Sequence, residues 1–193
     1  MRQHTKLLAL TAALLLGALT SGFAANVGGS VRCADGKGVE GVVVTDGYNF
    51  AQTDAEGNFV MELDRRARHI YISTPAGYLV ECKGSIPQFF LPISGATESY
   101  DFTLTRNPNN DERHIFFATA DVQATSLNDI ERYATIAEDM RGLAESIGGD
   151  YFSVDCGDIV GDSPWLYPFY LEVADGAGIP VWRILGNHDM DYH

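Results

Sequence analysis

The sequence predicts an α+β chain of two domains, a small antiparallel β-sandwich followed by a βαβαβ unit. Three observations predict it. Residues 27–105 read as short strands broken by turns rich in Gly and Asp. A polar segment containing proline and lacking periodicity, residues 106–113, then marks a boundary. Beyond it, apolar strand-like runs at 114–119, 151–154 and 180–185 alternate with helical patterns, the order expected of a largely parallel sheet. With 193 residues, 46% hydrophobic and 20% charged, the chain has the balance of a globular protein and room for two small domains, so disorder is not the expectation.

Residues 1–24 read as an export leader and take no part in the fold. Arg2 and Lys6 come before and at the edge of an apolar core over 7–19, and Gly22 and Ala24 supply small residues where a signal peptidase reads. The core is too short to span a bilayer comfortably, and no cysteine follows it to carry a lipid. The expectation is a periplasmic or secreted protein with no membrane span once the leader is removed. Losing Arg2 and Lys6 takes the formal charge from -13 to about -15. Such a charge repels nucleic-acid phosphates and argues against a general DNA- or RNA-binding role. It leaves room for a phosphorylated small substrate, because bound metal ions reverse the local field.

In the first domain, residues 26–105, strands are expected at 28–32, 41–45, 52–53, 59–63, 69–74 and 100–105, with turns at Asp35-Gly36, Asp46-Gly47 and Asp54 to Asn58. Asp46, Asp54 and Glu56 sit beside Gly or Asn, where short carboxylates bond their own backbone and serve turns. Tyr48, Phe50 and Tyr78 read as core or sheet-face aromatics. In an oxidising compartment Cys33 and Cys82 either form a disulfide or remain two free thiols. Cys156 reads as a small buried filler.

In the second domain, residues 114–193, the run after the linker is apolar throughout, as for a strand buried on both faces. Ser126 caps a helix whose stripe is Ile130, Tyr133, Ala137, Met140, Ala144 and Ile147 and which stops at Gly148-Gly149. A second strand at 151–154, a helix from Pro164 to about 174 and a third strand at 180–185 complete the unit. Trp165, Tyr167, Phe169 and Tyr170 read as helix packing, Trp182 as core, His114 as solvated and Asp162 as a helix N-cap. Parallel strands bring their carboxyl ends to one edge, where α/β folds bind ligands. Asp121, Asp158, Asn187 and His188, each just past a strand, would share that crevice. Two carboxylates, an amide oxygen and an imidazole suit a divalent cation and the phosphate it polarises.

Asp121-Val122-Gln123, Gly157-Asp158 and Gly186-Asn187-His188-Asp189, in this order and each after a strand, resemble the metallophosphoesterase (calcineurin-like phosphoesterase) family. Its pattern runs Asp-x-His, Gly-Asp, Gly-Asn-His-Asp/Glu. The resemblance implies the first βαβαβ half of that α/β fold and a site for two divalent ions, Mn, Fe, Mg or Zn, acting on a phosphate monoester or a phosphodiester. It implies Asp158 as the bridging ligand, Asp121, Gln123 and Asn187 as further metal ligands, and His188 and Asp189 as catalytic, with Asp189 orienting the His188 ring. Gln123 departs from the pattern, standing where the family has histidine. The family pattern also continues with a further histidine and Gly-His-x-His, which the 193 residues do not contain. A truncated enzyme that is inactive alone, a split enzyme completed by a separate C-terminal polypeptide, and a non-catalytic β-sandwich scaffold with a remnant metal site are therefore all expectations. Gly29-Ser30-Val31, residues 41–47 and residues 53–59 resemble the carboxypeptidase-regulatory or transthyretin-like sandwich that precedes some bacterial metallophosphoesterase domains, which implies a structural accessory module.

Overall fold

The computed structural model describes residues 26–95, 97, 99–109, 111 and 113–190. The expected leader, Asp191 and His193 lie outside them. The fold is mixed α/β, with several antiparallel strand pairs and two helices of eleven residues or more among the described residues.

Among the described residues, ten strands precede residue 107: β1 (Asn26–Cys33), β2 (Val43–Thr45), β3 (Phe50–Gln52), β4 (Asn58–Glu62), β5 (His69–Ile72), β6 (Tyr78–Val80), β7 (Cys82–Lys83), β8 (Ile86–Pro87), β9 (Phe90–Pro92) and β10 (Tyr100–Arg106). They form sheets β4-β1-β10-β6 and β3-β2-β5-β9 and a small β7-β8 hairpin. Alternation does the sorting. In β4 Phe59 and Met61 point inward, and in β10 Tyr100, Phe102 and Leu104 do so. They meet Val31, Val44 and Ile70 in one apolar cluster shared by both four-stranded sheets.

Two features depart from the expected set of antiparallel strands. β1 and β10 pair in parallel, with Val31 opposite Phe102. Four short strands, β6 to β9, occupy residues 78–92, where no strand was expected; at two or three residues each, and with Pro87 and Pro92 among them, they show no usable period. Cys33 and Cys82 are free thiols, so the disulfide alternative is not formed.

After the linker come β11 (His114–Thr119), α1 (Leu127–Ile147), β12 (Asp150–Asp155), a short 3-10 turn (Pro164–Leu166), α2 (Tyr167–Ala177) and β13 (Val181–Arg183). The sheet β11-β12-β13 is parallel throughout, as expected. Ser126 and Asp129 cap α1 reciprocally: the Ser126 N–H donates to Asp129 Oδ2 at 3.0 Å, and the Asp129 N–H donates to Ser126 Oγ. Gly148, at φ 73°, ends the helix. Ile130, Tyr133, Ala137 and Ala144 are buried, and Tyr133 packs on Tyr170 of α2 with ring centroids 5.3 Å apart. Ile147, expected on that stripe, is exposed at the helix end.

The apolar run of β11 is not buried on both faces. Its residues alternate, and Phe116 is 64% exposed. The helices cover one face of the sheet, and on the other Phe116, Phe152 and Trp182 form an aromatic row that Phe89, preceding β9, extends. Trp182 is thus half-buried instead of core. No helix among the described residues is long and apolar enough to cross a membrane.

Candidate functional site

The three loops that leave β11, β12 and β13 at their carboxyl ends are tied together by backbone. The Asp121 N–H donates to the Gly157 carbonyl at 3.1 Å, and Gln123 N–H to the Asp158 carbonyl at 2.8 Å. The Asp162 N–H donates to the His188 carbonyl at 3.2 Å. Asp158 Oδ1 accepts the His188 N–H at 3.0 Å, which joins the second loop to the third. The motif glycines have a steric reason. Gly157 (φ 97°) faces Gly186, so a Cβ on Gly157 would stand 2.6 Å from the Gly186 nitrogen, and one on Gly186 would run into the Asp158 carboxylate. Only backbone fits between these loops.

The same loops hold every non-glycine residue with positive φ among those described: Asp121 (53°), Gln123 (45°), Asp158 (51°) and Asp162 (52°). The left-handed region is costly for residues with a Cβ, and such strain persists where surrounding structure over-determines it, often at ligand sites. Three of the four were singled out from sequence as ligands.

The predicted residues are brought to one edge. Gln123 Nε2 lies 3.4 Å from Asp121 Oδ1, and the Asp158 and Asp121 charges both reach the His188 ring. Asn187 is exposed on the third loop beside them. His188 Nδ1 sits 2.9 Å from Asp162 Oδ1. That hydrogen bond, reinforced by the nearby carboxylate charges, raises the imidazole pKa above its usual value.

Asp189 does not orient that ring, contrary to expectation. It is buried, its Oδ1 accepts the Val160 N–H at 3.0 Å and its Oδ2 the Gly186 N–H at 2.8 Å. Burial opposes its charge, but the backbone donors outweigh this and hold the carboxyl below the ordinary range. With both oxygens taken up by backbone, Asp189 shapes the loop and Asp162 holds the histidine. Asp162 is therefore not an N-cap; Ser163 occupies that position. Cys156 is exposed, not a buried filler.

Beneath the loops lies a row that sequence reading missed. Thr119, Asp155 and Arg183 are the last residues of their strands and register neighbours. Asp155 is 2% exposed and accepts hydrogen bonds from the Thr119 and Tyr170 hydroxyls, while Arg183 Nε donates to Tyr170 Oη at 3.2 Å. Burial pushes the Asp155 carboxyl up and the Arg183 guanidinium down. A carboxylate ending an apolar strand was the one available signal.

As a metal site the set fits in part. Two carboxylates and two amides are oxygen donors suited to a hard cation. Among the described residues, however, no three His, Cys, Asp or Glu side chains gather as a metal cluster.

Residues 25–107 match the family model described as the N terminal of calcineurin-like phosphoesterase. The match covers the strands β1 to β10, less than half of the chain, and it supports the phosphoesterase family from a region separate from the motif-bearing loops. Phosphoesterases of this family generally use divalent metals. No curated protein matches the chain.

Proposed function

We propose that the chain is part of an exported, metal-dependent phosphoesterase that hydrolyses phosphate mono- or diesters. The observation that carries the reading is the concentration of strained Asp121, Gln123 and Asp158, with Asn187 and His188, at the carboxyl ends of three parallel strands. The family match in the adjacent β-rich unit supports it independently. On this reading residues 26–105 are an accessory sandwich, 106–113 a linker and 114–193 the beginning of the catalytic domain. Export rests on the leader-like residues 1–24.

Bound divalent ions would polarise the phosphate and lower the pKa of a water that attacks it. Asp158, Asp121, Asn187 and Gln123 are the residues that would hold such ions, through two carboxylates and two amide oxygens. His188, whose imidazole pKa the Asp162 hydrogen bond raises, is placed to neutralise charge on the phosphate and to give a proton to the leaving oxygen. The absence of three clustered His, Cys, Asp or Glu side chains among the described residues favours a second reading, a non-catalytic scaffold with a remnant site.

Hydrolysis of p-nitrophenyl phosphate and its bis ester with added Mn2+ separates the two. The first reading expects turnover that Asp158→Ala abolishes. Turnover indifferent to that substitution contradicts the role given to Asp158, and a folded chain with no turnover is the result expected of the scaffold and of a site that needs ligands from elsewhere.

A further inference from the structure

Ser85, in the turn between β7 and β8, has no exposed surface and is bonded to the α/β unit through three atoms. Its N–H donates to Asp175 Oδ1 at 2.6 Å, its carbonyl accepts the Val181 N–H at 2.8 Å, and its Oγ accepts Arg183 Nη2 at 2.7 Å. The preceding Gly84, at φ 60°, presses so closely on α2 that a Cβ would collide with the Asp175 carboxylate. The turn therefore caps the outer edge of β13 and grips the last residue of that strand.

From Arg183 the contacts run inward without a break: Arg183 to Tyr170, Tyr170 to Asp155, Asp155 to Thr119. These strand-end residues precede Asn187, Asp158 and Asp121 by four, three and two positions. A guanidinium is a rigid planar fork, so fixing one nitrogen on Ser85 fixes where the others point. Buried polar groups joined in a chain also hold one another to a single arrangement.

We propose that the β7-β8 turn is a positioning element of the strand-end site: Ser85 and Arg183 are positioning residues that set, through Tyr170, Asp155 and Thr119, the spacing at which the three loops leave the sheet. This rests on the metal-site reading of those loops only for its functional consequence. The N-terminal unit then contributes to ligand geometry without touching the ligand.

Ser85→Ala removes the hydroxyl and keeps both backbone bonds, so the fold is retained; Gly84→Ala displaces the turn as a whole. Two measurements on the full chain apply. In metal-free amide exchange, both variants are expected to raise the rates of Ile184, Gly186 and His188, whose N–H groups bond Asp155, Asp189 and Asp158, by up to about tenfold, the weight of one hydrogen bond. The α1 amides and a Ser30→Ala control stay at wild-type rates. In Mn2+ titration at unchanged melting temperature, the affinity of Ser85→Ala is expected to fall roughly tenfold or more, as for other residues that orient ligands. Loop exchange at wild-type rates in both variants overturns the proposal. A wild-type chain that takes up no Mn2+ overturns the metal-site reading instead, and the exchange result still decides the role of the turn.

Discussion

Aspartates of the β-rich unit and of the strand-end loops are equally short, and Asp46 and Asp158 each adjoin a glycine, yet the two groups are used in opposite ways. Asp46 is buried and accepts backbone N–H groups from Tyr48, Asn49 and Asp64, at 2.9, 2.7 and 2.7 Å. Asp54 accepts those of Glu56 and Asn58 at 3.1 and 2.7 Å. Both have ordinary φ and close a turn. Asp121 and Asp158 instead sit at φ 53° and 51°. Asp158 accepts one backbone N–H, and Asp121 has only a long contact with Gln123. The first pair lowers the energy of the fold; the second pair raises it and keeps acceptor capacity in hand. Proximity to glycine says nothing about which use applies. Backbone strain and the number of accepted hydrogen bonds separate them.

The largest effect expected from this contrast is on chemistry. Substituting residues that merely orient metal ligands costs 10- to 100-fold, so Asp158→Ala should lose roughly 100-fold or more in Mn2+-dependent hydrolysis of the bis ester while the melting temperature holds. Asp155→Ala should act first on stability. It leaves the buried Tyr170 hydroxyl without its carboxylate acceptor, beside the half-buried Arg183, and should cost roughly 2 kcal/mol in urea unfolding.

Asp46→Asn sharpens the comparison through pH. Burial works against the Asp46 charge, but its backbone donors prevail and its pKa lies below the usual 3.8. A depressed folded-state pKa contributes stability that is complete above the unfolded value and disappears as pH falls through the folded one. The substitution should cost roughly 1 kcal/mol at neutral pH and flatten the loss of stability below about pH 4. Smallest is Asp121→Gly, which removes a strained Cβ and should raise stability by about 1 kcal/mol in the same unfolding assay while weakening Mn2+ binding. A destabilising Asp121→Gly would contradict the strain argument.

Much of the second unit was legible because its signals are local. Ser126 and Gly148 bound α1 where the capping rules put them, and three apolar runs located three parallel strands. What was hidden depends on partners distant in sequence. The parallel pairing of β1 with β10 joins residues about seventy positions apart, and nothing within either strand encodes its direction. The openness of one face of β11 was equally invisible, since Phe116 reads as core whether or not a layer covers it. Motif order anticipated that Asp121, Asp158 and His188 would lie at one edge of the sheet. The partner of His188 was misassigned because Asp189 is adjacent in sequence and Asp162, 26 positions away, is adjacent in space.

The most direct test of the contrast is calorimetric titration of Mn2+ into the chain and into Asp158→Ala and Asp54→Ala. Binding that survives in Asp54→Ala and disappears in Asp158→Ala is the predicted result. Equal binding by all three, or binding lost only with Asp54, would contradict the assignment of the strand-end carboxylates as the functional ones.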